Sequence, residues 1–214
     1  MSSFYLLPGN FGNILILDGN SNNVTLLNVE KKTNCQLTKF PNVVADSAGG
    51  LITSDDIPQP LICGGKDKDG VTSDECYLLE SGKWSKIHKL PEKMTNLNGV
   101  PIDSQWIMFT GGILRNTTGS PISILFNKKG QNIKLEPMTK LREYHCSAIL
   151  SSNESSTKVG LLGGWHGLEK SMERYNCVKG DIPACEKLSD GPDMINGNYY
   201  FGCGSLQTSQ VCNQ

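Results

Sequence analysis

The chain has 214 residues, a formal net charge of −1, 23 glycines and 7% aromatic residues. That length suits one large domain or two small ones, and the charge is too low and the Val, Ile and Leu content too high for a disordered chain. Lys and Arg are scattered rather than gathered in a basic stripe, and no apolar run approaches the ~20 residues of a membrane helix, so neither nucleic-acid binding nor a membrane span is expected.

The first residues, "MSSFYLLPGN", lack the basic start and apolar core of a secretory signal peptide. A pattern then begins. "NILILDG" is an apolar run ending at Asp18 and Gly19, followed by a polar loop and a second short strand, "VTLLNVEKK". "NCQLTKFP" makes a further strand that stops at a proline, and "VADSAGGLI" begins the next unit. The second unit runs "PLICGG" (Gly64, Gly65), "ECYLLESG", "WSKIHKLP" and then "NLNGVPI". The third runs "WIMFTGG" (Gly111, Gly112), "SILFNKKG", "IKLEPM" and "YHCSAIL". The fourth runs "VGLLGG" (Gly163, Gly164), "ERYNCVKG", "ACEKLSDGP" and "YYFGCGSL".

Each unit therefore holds four short strands, with no stretch of helical period. Leu27, Tyr77, Phe126 and Tyr175 occupy equivalent places, and Trp84, in the fourth strand of the second unit, is replaced by Ile133 in the third. The expected repeats are about 11–41, 42–91, 92–138 and 139–192, with a partial one at 193–214, all in one domain over 1–214. The first repeat is expected to lack its first strand.

A period of about 50 residues with paired glycines resembles the kelch repeat, in which each repeat is one four-stranded blade of a β-propeller. The resemblance covers essentially the whole chain. It is closest to the disulfide-bearing kelch proteins of invertebrates. It implies an all-β, kelch-type propeller of four to five four-stranded blades, forming part of a larger ring of about six. Glycine at Gly64–Gly65, Gly111–Gly112 and Gly163–Gly164 would let crowded backbones approach, and Tyr77, Trp84, Phe126 and Tyr175 would fill the gaps between blades. The first unit departs from the pattern, with Asp18 in place of a glycine and Leu27 in place of an aromatic.

There are eight cysteines. Cys63 and Cys76 lie on adjacent strands of one hairpin, where opposed residues come close enough for a disulfide. Cys177 and Cys185 flank the next such hairpin, "CVKGDIPAC", and Cys203 and Cys212 flank a short loop, leaving Cys35 and Cys146 over. Disulfides, with the sequons at Asn23, Asn116 and Asn153, point to a secreted glycoprotein. The alternative is a cytoplasmic chain with eight free thiols and accidental sequons.

No catalytic motif is visible. There is no nucleophile elbow, P-loop, Rossmann fingerprint or C-x-x-C, and the three histidines are not spaced like metal ligands. "KDKDG" resembles the start of a calcium loop but lacks the later ligands. His145 reads as a structural histidine. No cofactor or metal is expected, and a copper oxidase on a propeller scaffold is the remote enzyme alternative. The kelch resemblance implies a non-enzymatic recognition protein whose partner, another protein, meets the loops after the glycine pairs, with Arg115, Trp165 and His166 as the leading candidates. An intracellular substrate-adaptor or cytoskeletal role is the nearer alternative.

Overall fold

The computed structural model describes residues 3–6, 13–19, 21–28, 30–54, 57–114, 119–165 and 170–199. Among them there is no helix. Four antiparallel four-stranded sheets follow one another along the chain. The first holds β1 (Ser3–Leu6), β2 (Asn13–Leu17), β3 (Val24–Asn28) and β4 (Thr33–Leu37). The second holds β5 (Ala48–Ser54), β6 (Ile57–Cys63), β7 (Glu75–Glu80) and β8 (Lys83–Lys89). The third holds β10 (Asn98–Pro101), β11 (Trp106–Thr110), β13 (Ser123–Asn127) and β14 (Asn132–Lys134), with a small ladder between β9 (Met94–Thr95) and β12 (Ile113–Leu114) beside it. The fourth holds β15 (Cys146–Ser152), β16 (Ser156–Leu162), β17 (Met172–Val178) and β18 (Ala184–Leu188). Each sheet is a meander in sequence order. The strand β1 supplies the first strand that the sequence reading left out of the first unit.

Successive sheets pack face to face over three apolar cores. Leu15, Leu17 and Val24 of the first sheet meet Ile62 and Tyr77 of the second across Phe40 and Val44. Leu61, Cys63, Cys76 and Leu78 meet Ile107, Phe109, Ile124 and Phe126 of the third. Trp106, Met108 and Leu125 meet Val159, Leu161, Tyr175 and Cys177 of the fourth. The run of β11, "WIMFT", is buried at every position because alternate side chains enter different cores. The first strands touch in series, β1 on β5, β5 on β10 and β10 on β15. At that crowded line Gly99 lies on Gly49, where a Cβ would come 2.8 Å from the Gly49 carbonyl oxygen.

The paired glycines join one unit to the next. Gly64 and Gly65 have φ of 67° and 90°, Gly111 and Gly112 of 60° and 89°, and Gly163 and Gly164 of 63° and 110°. Side chains rarely adopt such angles, and there is also no room for them. A Cβ on Gly65 would lie 2.7 Å from the Ala45 oxygen, and one on Gly112 would lie 2.7 Å from the Thr95 oxygen. The close approach serves hydrogen bonds. The Gly65 N–H donates to the Met94 carbonyl (2.8 Å), and the Gly112 N–H to the Arg142 carbonyl (2.8 Å). The Gly64–Gly65 and Gly111–Gly112 pairs thus hold the linkers that lead into the following sheets. Those linkers repeat too, with Asp46, Asn96 and Tyr144 all at positive φ, 56°, 55° and 51°.

Tyr77, Phe126 and Tyr175 are buried, and each faces the preceding sheet. Trp84 packs edge-on against Phe40 and donates its indole N–H to the Thr38 carbonyl (3.0 Å). Ile133 does not take the place of Trp84. It sits opposite Leu125 and faces the fourth sheet, whereas Trp84 sits opposite Leu79 and faces the first. Strands β8 and β14 pair with their neighbours at different offsets, and a shift of one residue reverses the face of a side chain.

The junction of the third and fourth sheets carries a buried ionic cluster. Arg142 and Glu173 are both 0% exposed. Glu173 accepts from Arg142 Nε (3.1 Å), Lys187 Nζ (2.6 Å) and the Thr139 N–H (2.7 Å). Arg142 also donates to the Gly163 carbonyl and to Ser171 Oγ (2.9 Å). Burial opposes ionisation of Glu173, but Lys187, the Thr139 N–H and Arg142 outweigh it and hold the carboxyl below its ordinary range.

Candidate functional site: the loop face

In each meander the second and third strands are joined by a long loop at the end where the glycine pairs lie. The linkers between sheets emerge at the same end. Among the described residues, this face therefore gathers 66–74, 113–114, 119–122, 165 and 170–171 with the linkers around 41–47, 91–97 and 139–145. The opposite face shows mostly tight turns, such as Ser81–Gly82 and Asn153–Ser155.

The loop after Gly65 is internally braced. Asp67 Oδ1 accepts from the Asp69 and Val71 N–H groups (2.9 Å each), which folds "KDKDG" into a side-chain-supported turn. Gly70 closes it at φ 76°. Lys66 reaches back to Asp46 (2.7 Å), tying this loop to its own linker. The turn leaves Val71 outward and 56% exposed. Leu141, in the linker before β15, is 48% exposed, and Trp165 is 39% exposed with its ring edge-on to Tyr199 at 4.4 Å. The Trp165 N–H donates to the Glu143 carbonyl (3.0 Å), which ties this loop to the linker that carries Leu141. Arg115, Asn116 and His166 lie outside the described residues.

A cleft of about 570 Å³ opens beside Val71, between the 66–75 segment and the linker at Pro41–Val44. Its floor is Phe40, Ile62 and Tyr77; its walls carry Asn42, Asp74 and Lys93. Tyr77 donates to Glu75 Oε2 (2.5 Å) and accepts from Asn42 Nδ2 (3.1 Å). Burial and then Glu75 push the Tyr77 phenol up to about 12. Hydrogen bonds from Lys86 and Tyr77 hold Glu75 below its ordinary range. These groups spend their hydrogen bonds on one another, so the cleft presents a fixed polar wall rather than a poised acid and base. Among the described residues no three His, Cys, Asp or Glu side chains gather as a metal site would require.

Nearer the line of first strands, His145 is 4% exposed and its Nε2 meets Thr110 Oγ1 (2.8 Å), which in turn meets Ser147 Oγ (3.2 Å). Its Nδ1 has no hydrogen-bond partner, and the same holds for both amide atoms of the buried Asn96. Burial, then the charge of Arg142, push the His145 imidazole down to about 3 against a smaller opposing pull from Glu173. It is a neutral, buried group at neutral pH.

Two disulfides are where the hairpin reading put them. Cys63 and Cys76 face each other with Cα atoms 4.1 Å apart, and Cys177 and Cys185 with Cα atoms 3.9 Å apart. Cys146, left over in the sequence reading, is also disulfide-bonded, to a partner outside the described residues. The expected pairing of Cys203 with Cys212 lies outside the described residues. Cys35 is an exposed free thiol on β4. Disulfides fit an extracellular location. Among the described residues no helix is long and apolar enough to cross a membrane.

Asn42 and the cleft escaped the sequence reading, because nothing in "FPNVV" marks a side chain that reaches a tyrosine 35 positions on. No family model matches the chain, and no curated protein sequence matches it. Among solved structures, the structure of YjhT is similar in fold, with a TM-score of 0.61 at 12% identity over 90% of this chain and 67% of that chain.

Proposed function

We propose that this chain is an arc of a kelch-type β-propeller, contributing four blades to a larger ring, and that it is a secreted recognition protein binding a protein partner through the loop face. The serial contact of first strands, the face-to-face sheets and the glycine pairs that clasp the next linker all support a radial arrangement of blades. The similarity in fold to YjhT covers 67% of that chain, which is compatible with an arc of a larger assembly of such sheets.

The observation that carries the recognition reading is the apolar display on one face. Val71, Leu141 and Trp165 are held outward on three braced segments, two of them after glycine pairs. Exposed apolar side chains on ordered loops are the usual anchors of protein interfaces, and aromatic ones dominate their energetics. The test is to capture partners from extracellular fluid on the immobilised full chain and on three variants. Trp165→Ala and Leu141→Asp should each lose the partner by tenfold or more. Ile182→Asp, a change on the opposite face at a residue 70% exposed, should retain it. Equal retention by the two loop-face variants, or loss only with Ile182→Asp, would overturn the reading.

A further inference from the structure

Two of the three sequons, Asn23 and Asn153, lie among the described residues, and the fold presents them differently. We infer that Asn153 is an N-glycan acceptor of this chain, and that Asn23 is not used. Asn153 is exposed at the tip of the β15–β16 hairpin. Its side-chain oxygen is an acceptor four times over, from Ser155 N–H (3.0 Å), Ser155 Oγ (3.0 Å), Ser156 N–H (2.8 Å) and, more weakly, Ser156 Oγ (3.4 Å). The amide is fixed by its oxygen, and among the described residues its nitrogen makes no hydrogen bond. The hydroxyl of the sequon's own Ser155 lies on the amide oxygen, which keeps the two sequon groups together. Lys179 Nζ donates to the Asn153 carbonyl (2.7 Å), which anchors the turn without touching the side chain.

Asn23 is placed differently. Its sequon hydroxyl, on Thr25, accepts from Gln36 Nε2 (2.9 Å). Thr25 lies inside β3, paired with Ile16 on one side and Gln36 on the other. Drawing that sequon into a transferase would break the middle of a four-stranded sheet, whereas the Asn153 turn can enter one at a hairpin tip.

The step is an ordinary glycosyl transfer. The Asn153 Nδ2 attacks C1 of an oligosaccharide carried on a polyprenyl diphosphate. The N–C1 bond forms, the C1–O bond to the diphosphate breaks, polyprenyl diphosphate leaves with the bonding pair, and one Nδ2 proton passes to a base on the transferase. The position has a consequence for the molecule. Asn153 and Gly163–Gly164 bracket the strand β16, so the glycan projects from the end opposite Trp165, about 20 Å away along the strand. Occupancy of Asn153 is independent of what the loop face binds.

The experiment expresses the full chain behind a cleavable secretion leader in N-glycosylating eukaryotic cells. Mass is read with and without a peptide-N-glycosidase, in the lysate as well as the medium, so that a retained chain also reports. The wild type should lose glycan mass on digestion and show Asp at position 153 in the peptide map. Asn153→Gln and Ser155→Ala should carry no glycan there, Ser155→Thr should keep or raise occupancy, and Asn23→Gln should leave the glycan at 153 unchanged. An unmodified Asn153 in the wild type, or occupied Asn23, would overturn the inference.

Discussion

The buried imidazole of His145 sets a pH dependence that can be worked out in advance. Folding holds the group at about 3, chiefly through burial and then through Arg142, against an ordinary value of 6.5. A depressed native value means that the unfolded chain takes up a proton that the native chain refuses. The associated stability is fully present above pH 6.5, is lost as pH falls below it, and levels off near pH 3. Between about pH 7 and about pH 5 the linkage relation gives a loss of about 2 kcal/mol from this one residue. The perturbation is His145→Gln, which keeps a hydrogen-bonding group for Thr110 and removes the titration. Urea unfolding followed by tryptophan fluorescence at the two pH values measures it. The wild type should lose about 2 kcal/mol on acidification and the variant less than about 0.5 kcal/mol, even though the variant starts lower at pH 7. Equal losses in the two proteins would refute the reasoning, and so would a wild type whose stability does not change.

Glu173→Gln should cost about 3–5 kcal/mol, because it leaves Arg142 and Lys187 buried against a neutral side chain; a urea midpoint reads it, and Arg142→Met combined with Glu173→Leu should recover part of the loss. The Glu173 carboxyl is held below its ordinary range, so its contribution is present above about pH 4.5 and disappears as pH falls further. Gly112→Ala should cost at least about 3 kcal/mol, since positive φ and a carbonyl at 2.7 Å oppose a Cβ, whereas Gly70→Ala, at φ 76° with nothing within 4 Å, should cost only about 1 kcal/mol. Cys63→Ala with Cys76→Ala should lower stability by about 2–4 kcal/mol. Alkylation of the denatured, non-reduced chain followed by intact mass should find no more than two free thiols.

The strands and their grouping were readable because the signals are local. An apolar run ended by a glycine pair is a short-range pattern, and the positive φ at Gly65 and Gly112 is a backbone requirement that only glycine meets cheaply. The two hairpin disulfides were readable for the same reason, since each joins neighbouring strands of a single hairpin. What escaped depends on register or on distant partners. The strand β1, "SFYL", is too short to carry alternation. The face of Ile133 is set by an offset between strands that composition does not record. Arg142, Glu173 and Lys187 are an unremarkable arginine, glutamate and lysine in one dimension, and only folding brings them within 3.1 Å or less. The cleft at Asn42 and Tyr77 has the same origin. On the loop face, Trp165 was legible as a loop tip after a glycine pair. Val71 and Leu141 were not, because an isolated apolar residue in a loop gives no sign of whether it points in or out.

The clasp between each glycine pair and the following linker also bears on how the chain is made. A ribosome delivers residues in order, at about 5–20 per second. When Gly65 emerges, the Met94 carbonyl that will receive its N–H has not been synthesised. Gly112 waits in the same way for Arg142, and Gly164 for Asn198. The second, third and fourth sheets therefore leave the exit tunnel with an open donor that only residues made later can satisfy. The nascent chain stays partly unsealed at its growing end, and the piece awaiting its clasp is where a pause in translation, a chaperone or a neighbouring nascent chain would first find purchase.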